Sequence, residues 1–116
     1  MPFSVILKAA DKKAGIAMKI DVKENDDLVL IRVKGDIEVM SVKTFKQMMF
    51  EIGHNTDKDI EIDLSDVNYI DSSGIGVLIS LLKLQKKKGK DLRMGKVSSK
   101  VLNVLKLSSL ADVFDL

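Results

Sequence analysis

No cysteine occurs in the 116 residues, so the chain holds no disulfide, no thiolate nucleophile and no cysteine-built zinc site. Tryptophan is also absent, and Tyr69 with four phenylalanines makes up the whole aromatic complement. The one proline is Pro2, and neither a repeat nor a low-complexity stretch marks a linker, so a single domain is expected. No apolar run approaches the roughly 20 residues that cross a bilayer. The longest, Ile75 to Leu84, is broken by Gly76, Ser80 and Lys83. The opening Met1-Pro2-Phe3-Ser4-Val5-Ile6-Leu7-Lys8 has no basic region before its short apolar run and does not read as a secretory signal, so a cytoplasmic location is expected, without membrane insertion. An excess of one charge is lacking too: 19 basic residues face 17 acidic ones. A nucleic-acid surface needs more positive charge and aromatic platforms, which argues against nucleic acid as a partner.

What is present is a supply of Ile, Leu, Val and Met, with 46% of residues hydrophobic, enough for the core of an α/β domain. Met1 to Ala14 has an apolar cluster at Phe3, Val5, Ile6 and Leu7 that fits either a short strand or a helix start, and residues 1–14 are read as an extension of unknown role. Organised pattern begins at Ile16 to Val22, where Met18, Ile20 and Val22 alternate with Lys19 and Asp21 in the period of a half-buried strand. Asn25-Asp26-Asp27 turns the chain into Leu28 to Val33, which predicts a hairpin closing at Lys34-Gly35.

The period then lengthens. Ser41 is placed to cap a helix carrying Val42, Phe45, Met48, Met49 and Ile52, with Gly53 as its stop. Asp59 to Leu64 alternates as a third strand, and a second helix is expected from about Ser73 to Lys88, stopped by Gly89. Leu92 to Gly95 reads as a short strand, Ser98 or Ser99 to Leu107 as a third helix, and Val113 to Leu116 as a last short strand. The expected order is β-β-α-β-α-β-α-β, a mixed sheet with a leading hairpin and helices packed against it.

Few residues offer catalysis. His54 is the sole histidine and sits in a polar connection, so neither a metal set nor an evident Ser–His pair can be assembled. Gly74-Ile75-Gly76 lacks the third glycine of a dinucleotide fingerprint, and Gly95-Lys96-Val97-Ser98 lacks the leading half of a phosphate loop. Asp63, Asp66 and Asp71 suit turns and caps as well as chemistry. The run Lys86-Lys87-Lys88-Gly89-Lys90 suits a helix C-terminus, where cations complement the dipole and glycine supplies the cap. No enzymatic activity, cofactor or resident metal is expected.

The informative segment is Asp71-Ser72-Ser73-Gly74-Ile75-Gly76. Asp71 or Ser72 can cap the following helix, and two hydroxyls then stand at a helix N-terminus, where a phosphate is electrostatically favoured. Gly74 and Gly76 are unusual inside a helix and would allow a close approach to its first turn. A well-capped, tightly packed helix start accounts for the same residues.

This stretch resembles the signature of the STAS domain, shared by anti-sigma-factor antagonists and the cytoplasmic parts of sulfate transporters. Gly35-Asp36-Ile37-Glu38 is similar to the family's Gly-Glu-Leu-Asp stretch, and Lys100 to Leu110 to its later helix and loop. The resemblance spans roughly Ile16 to Leu116 and identifies residues 15–116 as the STAS domain. It implies that Ser73 is a phosphate acceptor. Unphosphorylated antagonist would bind an anti-sigma factor that is itself a serine kinase, releasing a sigma factor. Phosphorylation would end that binding, and a serine phosphatase would restore it. ATP and magnesium would belong to the kinase. Asp36, Glu38, Asp71, Ser72, Ser73, Gly74 and Gly76 are the expected contact residues. Two departures stand out: Glu38 replaces the usual Asp, and the chain ends soon after Phe114, where many members continue into a final helix. A regulator of another partner-switching pathway, in stress or secretion signalling, is an alternative. So is a small-molecule or lipid-binding module, which a ligand-sized apolar cavity under the Asp71 loop would favour.

Overall fold

The computed structural model describes residues 4–10, 18–114 and 116, with side chains from Met18 onward. Five strands form one sheet in the order β1-β2-β3-β4-β5: β1 Ser4–Ala10, β2 Lys19–Glu24, β3 Leu28–Lys34, β4 Asp59–Asp66 and β5 Leu92–Val97. β1, β2 and β3 pair antiparallel, whereas β3, β4 and β5 pair parallel. Helix α1, Val42–Asn55, crosses from β3 to β4, and α2, Ser72–Lys87, crosses from β4 to β5. Both crossovers advance the same way across the sheet, so right-handed connections put both helices on one face, running parallel. Helix α3, Ser99–Leu107, and a 3-10 turn at Asp112–Phe114 complete the chain.

The two-residue period of the strands selects which side chains meet those helices. Ile20 and Val22, Val29, Ile31 and Val33, and Ile60, Ile62 and Leu64 are all buried, and Phe45, Met48, Met49 and Ile52 of α1 join Ile75, Leu78 and Leu81 of α2 in the same core. The intervening positions carry a row of alternating charge in register, Asp21, Arg32 and Asp63. In that row the Arg32 guanidinium lies 3.4 Å from Asp63.

Several expectations change. The segment read as an extension contributes β1, an edge strand whose register against β2 shifts between Val5 and Leu7, which blurs the alternation in the sequence. Ile16 and Ala17, expected to open β2, fall outside the described residues. Among the described residues the expected last strand is replaced by the 3-10 turn at Asp112–Phe114. The Leu110 and Ala111 amides close on Leu105 O, and the Val113 and Phe114 amides bond carbonyls three residues back. With its donors used locally, this segment coils, and buried Phe114 anchors it.

Gly53 does not stop α1, which continues to Asn55. A Cβ there would lie 2.8 Å from both Leu81 Cδ1 and Leu84 Cδ2, so the glycine permits the close approach of α1 and α2. Lys88 has a role beyond its own helix: its Nζ donates to the Gly53 and Thr56 carbonyls, capping the C-terminus of α1. Gly89, at φ +70°, takes the left-handed conformation expected after a helix end. Because the Lys88 bonds are charge-assisted but half-exposed, Lys88→Met is expected to lower unfolding free energy by about 1–2 kcal/mol, read by urea denaturation. Lys86→Met on the exposed side should change it little.

Candidate functional site

Where β4 ends, the chain does not turn directly into α2 but runs first beside the loop that follows β3. Gly35, at φ 114°, ends β3 in a conformation few side chains adopt. Beyond it the Ile37 amide donates to Tyr69 O at 2.9 Å, and the Asp71 amide donates to Ile37 O at 3.0 Å. These bonds form a parallel bridge between Ile37 and Ile70, both buried. Ser41 stands at the N-cap of α1 as expected, but its hydroxyl makes no cap bond. It donates to Asp36 O at 2.7 Å and accepts from the Glu38 amide at 3.1 Å, which fixes the loop from within.

Asp71 is the N-cap of α2. Its Oδ1 accepts from the Ser73 amide at 2.9 Å, the Gly74 amide at 3.3 Å and the Ser73 hydroxyl at 2.5 Å. The Ser73 hydroxyl bond most lowers the Asp71 pKa below the usual 3.8; partial burial opposes this, and amides of Gly74, Ser73 and Val39 reinforce it. One carboxylate therefore holds the helix start, the Ser73 side chain and the preceding loop together. Ser72 is exposed beside it.

The two glycines divide in purpose. A Cβ on Gly74 would stand 2.5 Å from Ile37 Cγ2 and 2.9 Å from Ile70 Cγ1, so the close approach is made by the bridge itself. A Cβ on Gly76 would meet nothing within 4 Å, leaving an open, shallow surface one turn below Ser72 and Ser73. The backbones of Asp36 and Glu38 join the site, Asp36 with an exposed and Glu38 with a half-exposed side chain. No hydrogen bond links either carboxylate to Ser72 or Ser73 among the described residues.

The sequence reading missed the apolar rim. Val39, Met40 and Tyr69 are 72%, 64% and 51% exposed and belong to the two bridged loops. The available signal was Val39-Met40 itself, an apolar pair set between Glu38 and Ser41 in a polar turn. Two clefts of about 260 Å³ lie elsewhere, one lined by residues including Val22, Glu24 and Ile52, the other by residues including Phe50 and Lys83. Neither includes a residue of the Asp71 loop. No group of His, Asp and Glu suited to a metal occurs among the described residues, and no helix among them is long and apolar enough to cross a membrane.

Comparison with known proteins places the family and the fold. A family model for the STAS domain matches residues 19–116. The anti-sigma-B factor antagonist of Bacillus subtilis is 28% identical over 99 residues, covering 85% of this chain and 90% of the relative. That of Staphylococcus aureus is 24% identical over 96 residues, covering 83% and 89%. The crystal structure of an anti-sigma factor antagonist from Mycobacterium paratuberculosis superposes with a TM-score of 0.75 at 17% identity, over 91% of this chain and 87% of that one.

Gly74→Ala is expected to cost about 1–3 kcal/mol of stability through overpacking, whereas Gly76→Ala should stabilise α2 by up to about 1 kcal/mol, both read by chemical denaturation. The Asp71 carboxyl binds its proton less tightly folded than unfolded, so its contribution is complete above about pH 4 and is lost as pH falls through the lower folded pKa. Thermal unfolding followed into acid should show wild type losing stability more steeply than Asp71→Asn, which keeps a capping oxygen but no titration. Asp63 acts in the same sense: burial raises its pKa, but the Ser65 hydrogen bonds and Arg32 more than offset that. Part of the acid loss should therefore remain in the variant.

Proposed function

The chain belongs to the STAS-domain family, and from that membership we propose that it is an anti-sigma-factor antagonist switched by phosphorylation of Ser73. The observation that carries the reading is the Ser73 hydroxyl held 2.5 Å from Asp71 Oδ1 at the N-terminus of α2. The names of the Bacillus and Staphylococcus relatives support the general activity. The kinase, the phosphatase and the residue modified are our inference.

Unphosphorylated, Ser73 is neutral and pinned, and the surface around it carries Ser72, open Gly76 and the apolar rim of Val39, Met40 and Tyr69. Such a surface can seat an anti-sigma factor that is also a serine kinase, leaving the sigma factor free. Transfer of the γ-phosphoryl group of ATP, held by the kinase with its magnesium, forms a Ser73 Oγ–P bond and releases ADP, with the hydroxyl proton going to the kinase's base. A phosphoserine then brings nearly two negative charges against the Asp71 carboxylate. The two anions repel, so the phosphate swings outward into the partner's space. The dipole of the α2 N-terminus tolerates the added charge, so the domain stays folded. A serine phosphatase resets the surface by hydrolysis. The chain serves as substrate and ligand in this cycle, not as an enzyme, and acts in the cytoplasm.

Wild type, Ser73→Ala and Ser73→Asp, used as baits in a lysate of the source organism, test the reading by mass spectrometry. A kinase-like anti-sigma factor should be retained by wild type and Ser73→Ala and lost with Ser73→Asp. A mismatched charge in a contact costs about 2–5 kcal/mol, so the affinity should fall by about 30-fold or more. Equal retention by all three baits, or by none, would remove Ser73 as the control point.

A further inference from the structure

The cleft between α1 and α2 on their solvent side lies outside the switch site. It has a volume of about 260 Å³ and is lined by Phe50, His54, Ser80, Lys83, Leu84 and Lys87. Phe50 and Leu84 are half-buried and form an apolar floor, while Lys83 and Lys87 stand exposed along one rim. On the other side Lys46 Nζ lies 5.7 Å from the Phe50 ring centre, and His54 meets that ring edge-on at 6.4 Å.

Positive charge predominates here, and Glu51, the one acidic residue of α1, lines the other cleft. No acidic side chain lines the cleft, and α2 contains neither Asp nor Glu. Lys83 and Lys87 make no ion pair with a described residue. They are spaced four apart on one helix, where like charges repel. Interaction with the helix dipole accounts for Lys86 and Lys87 in the last turn of α2. It does not account for Lys43 and Lys46, which lie near the N-terminus of α1, the end where cations are disfavoured and where the first turn has no acidic residue.

We propose that this cleft is a docking groove for an acidic amphipathic helix of a protein partner. The apolar stripe of such a helix would cover Phe50 and Leu84, and its carboxylates would reach Lys46 on one side and Lys83 and Lys87 on the other. A bilayer fits less well, because the lysines would attract anionic lipid with no protruding apolar group beside them to insert and strengthen the contact. The exposed large apolar residues, Val39, Met40, Tyr69, Leu107, Val113 and Leu116, all lie outside the cleft. This site is independent of the Ser73 reading.

The test is a titration of the isotope-labelled chain, followed by amide NMR shifts, with two synthetic peptides of equal negative charge. One is an amphipathic Leu/Glu helix, and the other carries Ser at every Leu. The first should shift amides of Phe50, His54, Ser80 and Leu84, and bind about tenfold or more tighter than the second. The double variant Lys83→Glu/Lys87→Glu, checked for unchanged circular dichroism, should weaken it by about tenfold or more, whereas Lys100→Glu/Lys106→Glu on α3 should not. Equal binding of both peptides, shifts spread over lysines on every face, indifference to the double variant, or no binding of the Leu/Glu peptide would overturn the proposal. Tighter, Lys83- and Lys87-dependent binding to phosphatidylserine vesicles would overturn it in favour of a membrane.

Discussion

Two backbone hydrogen bonds, Ile37 N–H to Tyr69 O and Asp71 N–H to Ile37 O, join the loop after β3 to the loop after β4. The candidate site depends on that junction. It places Val39 where its amide helps hold the Asp71 carboxylate, and it brings Ile37 and Ile70 so close to α2 that only glycine fits at position 74. Asp71 then caps the helix and pins Ser73 with the same carboxylate. A hydrogen-bonded platform results, assembled from two segments more than thirty residues apart in the chain. Such bonding would matter for the proposed switch, since a hydroxyl without fixed partners would present no defined surface for phosphorylation to alter.

The electrostatics explain why such a modification can be local. Asp71 is already held below the usual carboxylate range by the Ser73 hydroxyl bond, so the native site contains a stable anion. A second anion added to Ser73 meets repulsion from that carboxylate and attraction from the helix N-terminus. Under the proposed switch the first would move the phosphate outward, and the second would keep the helix start intact. A phosphate on Ser73 would therefore change the surface and leave the core, since the half-exposed Ser73 side chain bonds to Asp71 at the helix start.

The elements with clean periodicity were legible in the sequence. Leu28 to Val33, Asp59 to Leu64 and the α1 stripe through Ile52 are built by burial of one face, and burial is what their patterns record. Asp71 was legible as a helix cap because capping is local chemistry, whereas Ser73 was singled out by the family resemblance. What failed to show depended on distant partners. Gly53 looks like a helix stop, but Leu81 and Leu84 decide its use. Lys88 reads as an ornament of α2 until its bonds to the end of α1 are seen. Ser41 turns to Asp36 and Glu38 instead of its own helix. Val113 and Phe114 have strand-like composition, but the preceding left-handed Ser109, at φ 58°, and the local amide bonds coil them. β1 has too little alternation to declare itself without β2 beside it.

Under the proposed switch, phosphorylation of Ser73 would alter a surface without remodelling the fold. Placing a phosphoserine at position 73 and comparing backbone amide spectra with those of the unmodified chain checks this. Shifts should be confined to residues 36–41 and 69–76, with the amides of β2, β3 and α3 unchanged. Shifts throughout the sheet, or loss of signal dispersion, would contradict it.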